Sequence, residues 1–199
     1  MRIVLASGSP WRARLLQQAG VPFEVLTQPV DEESVRESLH AERVSAEDAA
    51  TALAELKAQR VAMLLPGDET IVLGCDQILD LDGAWLGKPA DLAGARDHLL
   101  RQRGKMHRLP TAVVACRGGS RIWHHVAAPR LWGRGFSDAF LDAYLDGIGE
   151  VATRTVGAYE YEGTGAQLMA RVEGDYFTIL GLPLLPLLQF LRDQGALTA

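Results

Sequence analysis

The sequence predicts a mixed α/β fold, built as a single bilobed domain over residues 1–199. Three observations carry that reading. Short apolar, β-branched runs alternate with helical patterns that bring their own capping residues. The alternation lacks a strict strand–helix–strand rhythm, which argues for a mixed sheet. The length of 199 residues falls between one large domain and two small ones, and 48% hydrophobic with 23% charged content suits a full core without disorder or coiled coil.

Ile3-Val4-Leu5-Ala6 reads as a buried strand ended by Ser7-Gly8. Ser9 then caps a helix with Pro10 at its first position, Leu15, Leu16 and Ala19 on its inner stripe, and Gly20 as its stop. Phe23 to Leu26 is a second strand, leading into the acidic segment Asp31-Glu32-Glu33. Ser45-Ala46-Glu47-Asp48 resembles a capping box and opens a long helix with Ala49, Ala52, Leu53, Leu56 and Arg60 at helical spacing, closed by Pro66-Gly67. Ile71 to Cys75 forms a strand that continues from Ile78 to Leu81 after an interruption at Asp76-Gln77. Asp82-Gly83 is a hairpin turn, and the return strand with Trp85 and Leu86 leads to Gly87-Lys88-Pro89.

A helix from about Asp91 to Arg103 turns Leu92, Ala95, Leu99 and Leu100 inward and ends at Gly104. Thr111 to Cys116 and Arg121 to Val126 flank Gly118-Gly119 as a second hairpin. Ser137 caps a helix carrying Phe140, Leu141, Tyr144 and Leu145, closed by Gly147. The glycine-dense stretch Gly157 to Gly165 turns sharply or approaches something closely. A strand from Gln167 to Val172, a turn at Gly174-Asp175, a strand from Phe177 to Leu180 and a final helix from Pro183 complete the chain.

Composition narrows the function classes. The formal charge of −5 leaves no general basic field for a DNA or RNA polymer, whereas a small anion needs only a few cations focused in one cleft. Cys75 and Cys116 both lie in apolar strand-like runs and read as buried free thiols of a reducing compartment. The start of the chain lacks a signal-peptide pattern, and prolines and a glycine interrupt the most apolar run, Leu180 to Leu191. A cytoplasmic protein without a membrane partner is expected.

Ser7-Gly8-Ser9-Pro10-Trp11-Arg12 places a glycine loop at a helix N-terminus, where backbone N–H groups, two hydroxyls and a guanidinium suit phosphate. A plain helix cap beside a surface arginine explains the same residues. Asp76 breaks an apolar run, and a buried carboxylate there needs a cation, either as a metal ligand or as a base for water; a strand-end turn residue is the other reading. Lys88 could neutralise phosphate charge and Glu32 could share a metal with Asp76, but for these two and for Lys57 on the long helix an ordinary solvated surface charge is the commoner explanation. His124 and His125 are adjacent, would face opposite sides of a strand and cannot share one ion. The sequence has no nucleophile elbow, Walker loop or dinucleotide fingerprint.

Six segments occur in an order that resembles the Maf family, named for septum-formation inhibition and comprising nucleoside triphosphate pyrophosphatases. They are Leu5 to Arg12, Val30-Asp31-Glu32, Leu73-Gly74-Cys75-Asp76-Gln77, Gly87-Lys88-Pro89, Gly157-Ala158-Tyr159 with Glu162-Gly163, and Glu173-Gly174-Asp175 before Leu180-Gly181-Leu182-Pro183-Leu184. The resemblance implies a Maf/ITPase-like fold with a central mixed sheet and a cleft between two lobes; similar proteins are often homodimers. It implies cleavage of a nucleoside triphosphate between the α and β phosphates, with Asp76 as proton acceptor and Mg²⁺ or Mn²⁺ held by Asp76 and Glu32. Ser7, Ser9, Arg12, Lys57 and Lys88 would hold the triphosphate.

Trp11, Gln77 and Glu162 stand where pyrimidine-directed members usually carry Arg, Thr and Gln. In this respect the chain resembles the branch acting on 7-methyl-GTP. A positively charged methylated guanine favours an indole face, and a carboxylate accepts its N–H edge. A dTTP/UTP or broad-specificity enzyme is the alternative within the family, and a nucleotide-binding regulator of cell division is the alternative outside catalysis. Thr155 departs from the family pattern where many relatives have lysine, with Arg154 or Arg134 as candidates to replace the charge.

Overall fold

A computed structural model describes residues 1–65, 67 and 69–198. Among these the chain runs through β1 (Arg2–Leu5), α1 (Pro10–Gln18), β2 (Glu24–Val25), α2 (Glu32–Ala41), α3 (Ala46–Ala62) and β3 (Thr70–Gln77). It continues through β4 (Leu79–Leu81), β5 (Ala84–Leu86), α4 (Leu92–Gln102), β6 (Met106–Arg108), β7 (Thr111–Arg117), β8 (Ser120–Ala127) and β9 (Arg130–Gly133). The last elements are α5 (Asp138–Ile148), β10 (Met169–Glu173), α6 (Tyr176–Ile179) and α7 (Leu184–Asp193), with 3₁₀ turns at Gly149–Arg154, Val156–Ala158 and Thr164–Leu168.

The fold class is mixed α/β. The chain divides into two compact units, one of Met1–Gln77, Thr111–Ala127 and Gly181–Ala199, the other of Ile78–Pro110 and Ala128–Leu180. The expected mixed sheet is the first of two and belongs to the first unit. Its order is β2-β1-β3-β7-β8, with β1 parallel to β2 and β3, and the β3/β7 and β7/β8 pairs antiparallel. The middle strand β3 is buried from Thr70 through Asp76, which is why its sequence reads as a continuous apolar run and not as alternation. At the sheet edge α7 covers β8, where Phe190 stacks on Trp123 with ring centroids 4.6 Å apart.

The second unit holds the order β10-β9-β6-β4-β5, every pair antiparallel, over a core that includes Leu79, Leu99, Leu109, Leu131 and Leu141. The hairpin from β4 to β5 turns at Asp82 and Gly83 with φ of 53° and 86°, the paired positive values that a tight two-residue turn requires. Asp80 locks this corner, since its Oδ1 accepts from Gly83 N at 2.8 Å and its Oδ2 accepts from Arg108 Nη2 at 2.5 Å.

Several elements differ from the sequence reading, each for a local reason. Asp76-Gln77 does not interrupt a strand: both residues belong to β3, with Asp76 opposite Ala112. The acidic segment opens α2, where Asp31 Oδ1 accepts from Ser34 N at 3.2 Å and Glu32 and Glu33 fill the first turn. Phe177 to Leu180 is no strand. Asp175 Oδ2 caps Thr178 N at 2.7 Å, and that cap overrides the β-branched composition to give α6. Leu92, expected inside, is 38% exposed at the start of α4. The short strands β6 and β9 escaped the sequence reading because three or four residues show too little alternation. The helix expected to close at Gly147 runs one residue further and ends at Gly149 with φ of 56°. α3 ends at Ala62, while Pro66 of the expected Pro66-Gly67 stop lies outside the described residues.

Both cysteines are buried free thiols. No helix among the described residues is long and apolar enough to cross a membrane.

The second unit buries a histidine. His107 on β6 is fully buried, its Nε2 lies 2.8 Å from the Tyr159 hydroxyl, and its Nδ1 has no hydrogen-bond partner among the described residues. Burial disfavours the imidazolium and lowers the His107 pKa from 6.5 to about 4. Between those values the unfolded chain binds a proton that the folded chain does not. The stability from neutral His107 is therefore complete above pH 6.5 and is lost as pH falls toward 4, by about 3 kcal/mol. Urea denaturation across this window should show that loss in the wild type and a smaller one in His107→Gln. Equal losses in both would exclude the imidazole as the source.

Candidate active site

The site in the first unit begins with a close approach of backbone. A Cβ at Gly74 would stand 2.0 Å from the Ala54 carbonyl oxygen and 2.9 Å from Ala58 Cβ. β3 and α3 therefore meet at a distance that only a glycine facing alanines allows, and Ala50, Ala54 and Ala58 are fully buried. Strand alternation puts Asp76 on the same face as Gly74, toward α3. Lys57 precedes Ala58 on that helix.

The consequence is a charged trio. Lys57 Nζ donates to Asp76 Oδ1 at 2.7 Å and to Glu32 Oε2 at 2.8 Å, with Glu32 delivered by the first turn of α2. Asp76 is 3% exposed, and a carboxylate so deep is costly unless it is paired, which the ammonium does here. Its second oxygen, Oδ2, is buried without a hydrogen-bond partner among the described residues. An unpartnered buried carboxylate oxygen next to a second carboxylate suits a divalent cation, which prefers hard oxygen ligands. Asp76 and Glu32 are the residues that would hold it. The described residues contain no group of three or more His, Cys, Asp or Glu able to hold a metal. The remaining ligands would be water and phosphate oxygens, the usual pattern for Mg²⁺.

The second cluster surrounds Arg12 on α1. Its Nε donates to the Gly181 carbonyl at 2.8 Å, and its Nη1 donates to the Cys75 carbonyl at 2.9 Å and to Ser7 Oγ at 3.0 Å. Gly181 turns at φ of 102°, and a Cβ there would come within 3.4 Å of Arg12 Nε. The hydroxyls are more committed than the sequence suggests: Ser9 caps α1 by accepting from Arg12 N at 3.4 Å, and Ser7 Oγ accepts from Ser9 N at 3.3 Å. Two of the N–H groups expected for phosphate are thus already bonded within the loop. A Cβ on Gly8 would meet no atom within 4 Å, so the outer side of the loop is open.

The structure brings Ser7, Ser9 and Arg12 together, and brings Glu32, Lys57 and Asp76 together. The two clusters join through the Cys75-Asp76 peptide, whose Cys75 carbonyl receives Arg12 while Asp76 receives Lys57. Gln77 follows directly, its side-chain amide donating to Thr111 Oγ1 at 2.9 Å. Trp11 is half-buried in the first turn of α1. Lys88 and Glu162 belong to the second unit, where both are exposed. Burial pushes the Cys75 thiol up to about 11, so it stays protonated near neutrality and is no nucleophile. The sequence reading missed the Cys75 and Gly181 carbonyls and the Thr111 hydroxyl as anchors. Backbone acceptors carry no residue-type signal, although the glycine in Leu180-Gly181-Leu182-Pro183 marked the turn.

Residues 2–194 match the family described as Maf-like protein. The chain belongs to the Maf family. A protein of Rhodospirillum rubrum named nucleoside triphosphate pyrophosphatase is 54% identical, over 98% of this chain and 96% of its own length. Another with that name, from Paramagnetospirillum magneticum, is 55% identical over 98% of this chain and 99% of its own. A Rhizobium meliloti protein named 7-methyl-GTP pyrophosphatase is 44% identical over 99% of this chain and 98% of its own.

In this Maf chain the glycine at position 74 should be irreplaceable. Gly74→Ala forces β3 from α3 and should cost about 1–3 kcal/mol in urea denaturation, the range for overpacked cores. Gly8→Ala, with open space around its Cβ, should stay within about 0.5 kcal/mol of wild type. Similar losses in the two variants would show that the close approach does not constrain the fold.

Proposed function

We propose that this Maf protein hydrolyses a nucleoside triphosphate at the α–β anhydride, releasing nucleoside monophosphate and pyrophosphate. The observation that carries the reading is Asp76: a buried carboxylate paired with Lys57, with a second oxygen left without a hydrogen-bond partner among the described residues. Such a group can accept a proton from an attacking water. The curated names of relatives at 54% and 55% identity support the reaction class.

The residues divide the work in a physically consistent way. Ser7, Ser9 and Arg12 meet the polyphosphate from the loop and first turn of α1, where the helix dipole also favours anions. Lys57 neutralises further phosphate charge. A Mg²⁺ or Mn²⁺ held by Asp76 and Glu32 would act as a Lewis acid on the phosphate oxygens. Water adds across the anhydride, its proton passes to Asp76, and pyrophosphate leaves with the bonding electron pair. Two buried free thiols suit work in the reducing cytoplasm.

For the base, we infer 7-methyl-GTP from the residue types at positions 11, 77 and 162. As residue types, an indole at position 11 suits stacking with a positively charged purine, and a carboxylate at position 162 suits acceptance from a guanine N–H edge. The Rhizobium meliloti relative carries that name.

Pyrophosphate release from 7-methyl-GTP, GTP, dTTP and UTP, measured with Mg²⁺ or Mn²⁺, tests both levels. The highest kcat/KM is expected for 7-methyl-GTP, and Asp76→Asn should lower kcat by about 10²–10⁴-fold, as expected for losing a general base. A preference for dTTP or UTP would remove the base assignment and keep the reaction. Tight nucleotide binding with no pyrophosphate released would overturn the reaction and favour a regulator.

A further inference from the structure

The two carboxylates that suit a divalent cation are already bridged by an ammonium. Lys57 Nζ stands 2.7 Å from Asp76 Oδ1 and 2.8 Å from Glu32 Oε2, and its side chain is only 11% exposed. In that position it relieves the repulsion between two carboxylates, one of them buried. A doubly charged cation on the same oxygens would meet this positive charge at contact distance, so ammonium and cation oppose each other.

We propose that Lys57 is a built-in competitor for the cation site. It bridges Glu32 and Asp76 while no cation is bound and withdraws when one takes their oxygens. This rests on the reading of Asp76 and Glu32 as the cation's ligands. The packing of Gly74 against Ala54 and Ala58 fixes the backbone of α3, while the four-carbon lysine stem lets the ammonium swing. A free cation must displace the ammonium and binds weakly. A polyphosphate arriving with the cation gives the displaced ammonium a new anionic partner, so the two ligands favour each other.

A static structural bridge makes the opposite forecast, because without it the carboxylates would spread and hold a cation less well. Mn²⁺ alone, titrated into nucleotide-free protein and followed by electron paramagnetic resonance, separates the two. Lys57→Met should bind Mn²⁺ about tenfold or more tightly than wild type, since a cationic neighbour is gone. Lys57→Arg, which keeps the charge, should resemble wild type. Thermal unfolding gives an independent readout: without metal Lys57→Met and Lys57→Gln should melt below wild type, and Mn²⁺ should raise their Tm by more. Unchanged or weaker Mn²⁺ binding in Lys57→Met overturns the competitor. Asp76→Asn identifies which reading failed. If it abolishes Mn²⁺ binding while Lys57→Met binds no tighter, only the competitor falls; if it leaves Mn²⁺ binding intact, the cation site falls and the competitor with it.

Discussion

The closeness of β3 to α3 is the constraint on which the rest of the first unit depends. With Gly74 against Ala54 and Ala58, the helix lies on the sheet at backbone contact. That short separation is what allows a lysine on the helix to reach a carboxylate on the strand. Larger side chains at these positions would move the helix outward, and Asp76 would be left buried without a partner, a cost of several kcal/mol. The alanine content of α3 is therefore not only helix propensity. Ala50, Ala54 and Ala58 are the small surface that brings the Lys57 ammonium into the site.

Arg12 ties three chain segments that are far apart in sequence. Its guanidinium joins the loop after β1, the end of β3 and the turn before α7 through Ser7, Cys75 and Gly181. A planar fork with five donors can satisfy two carbonyls and a hydroxyl and still present an edge. A lysine could not do both. Because Cys75 and Asp76 are adjacent, the group that fixes the strand end and the group that bears the buried charge cannot move independently.

What the sequence made legible follows from how local each signal is. Ser9 with Pro10, Ser45 and Ser137 are caps whose partners lie three residues away, and each begins the helix it was expected to begin. Asp82-Gly83 and Gly118-Gly119 turn where their positive φ angles demand. Asp31 and Asp175 are caps of the same chemistry. Their signal is masked by composition, since Asp31 opens an acidic run and Asp175 precedes a β-branched one. At the site, the charged residues were legible as residue types and their partners were not. That Lys57 bonds two carboxylates depends on α2, α3 and β3 converging, and no spacing along the chain encodes that. The carbonyls that hold Arg12 are invisible for the same reason, since every residue has one.

The pairing of charges also bears on how a protein of net charge −5 takes a polyanion. The two first-unit clusters together hold two cations, Arg12 and Lys57, and two carboxylates, Asp76 and Glu32, so their formal charges cancel and the clusters by themselves exert little attraction on a triphosphate. A divalent cation held by the two carboxylates would change the sign of the local field and release an ammonium in the same act. Affinity for the polyanion would then follow cation loading and owe little to the overall charge, which can stay acidic and favour solubility. An acidic surface and an anionic substrate are compatible when the attraction is short-ranged and assembled only as the ligands arrive.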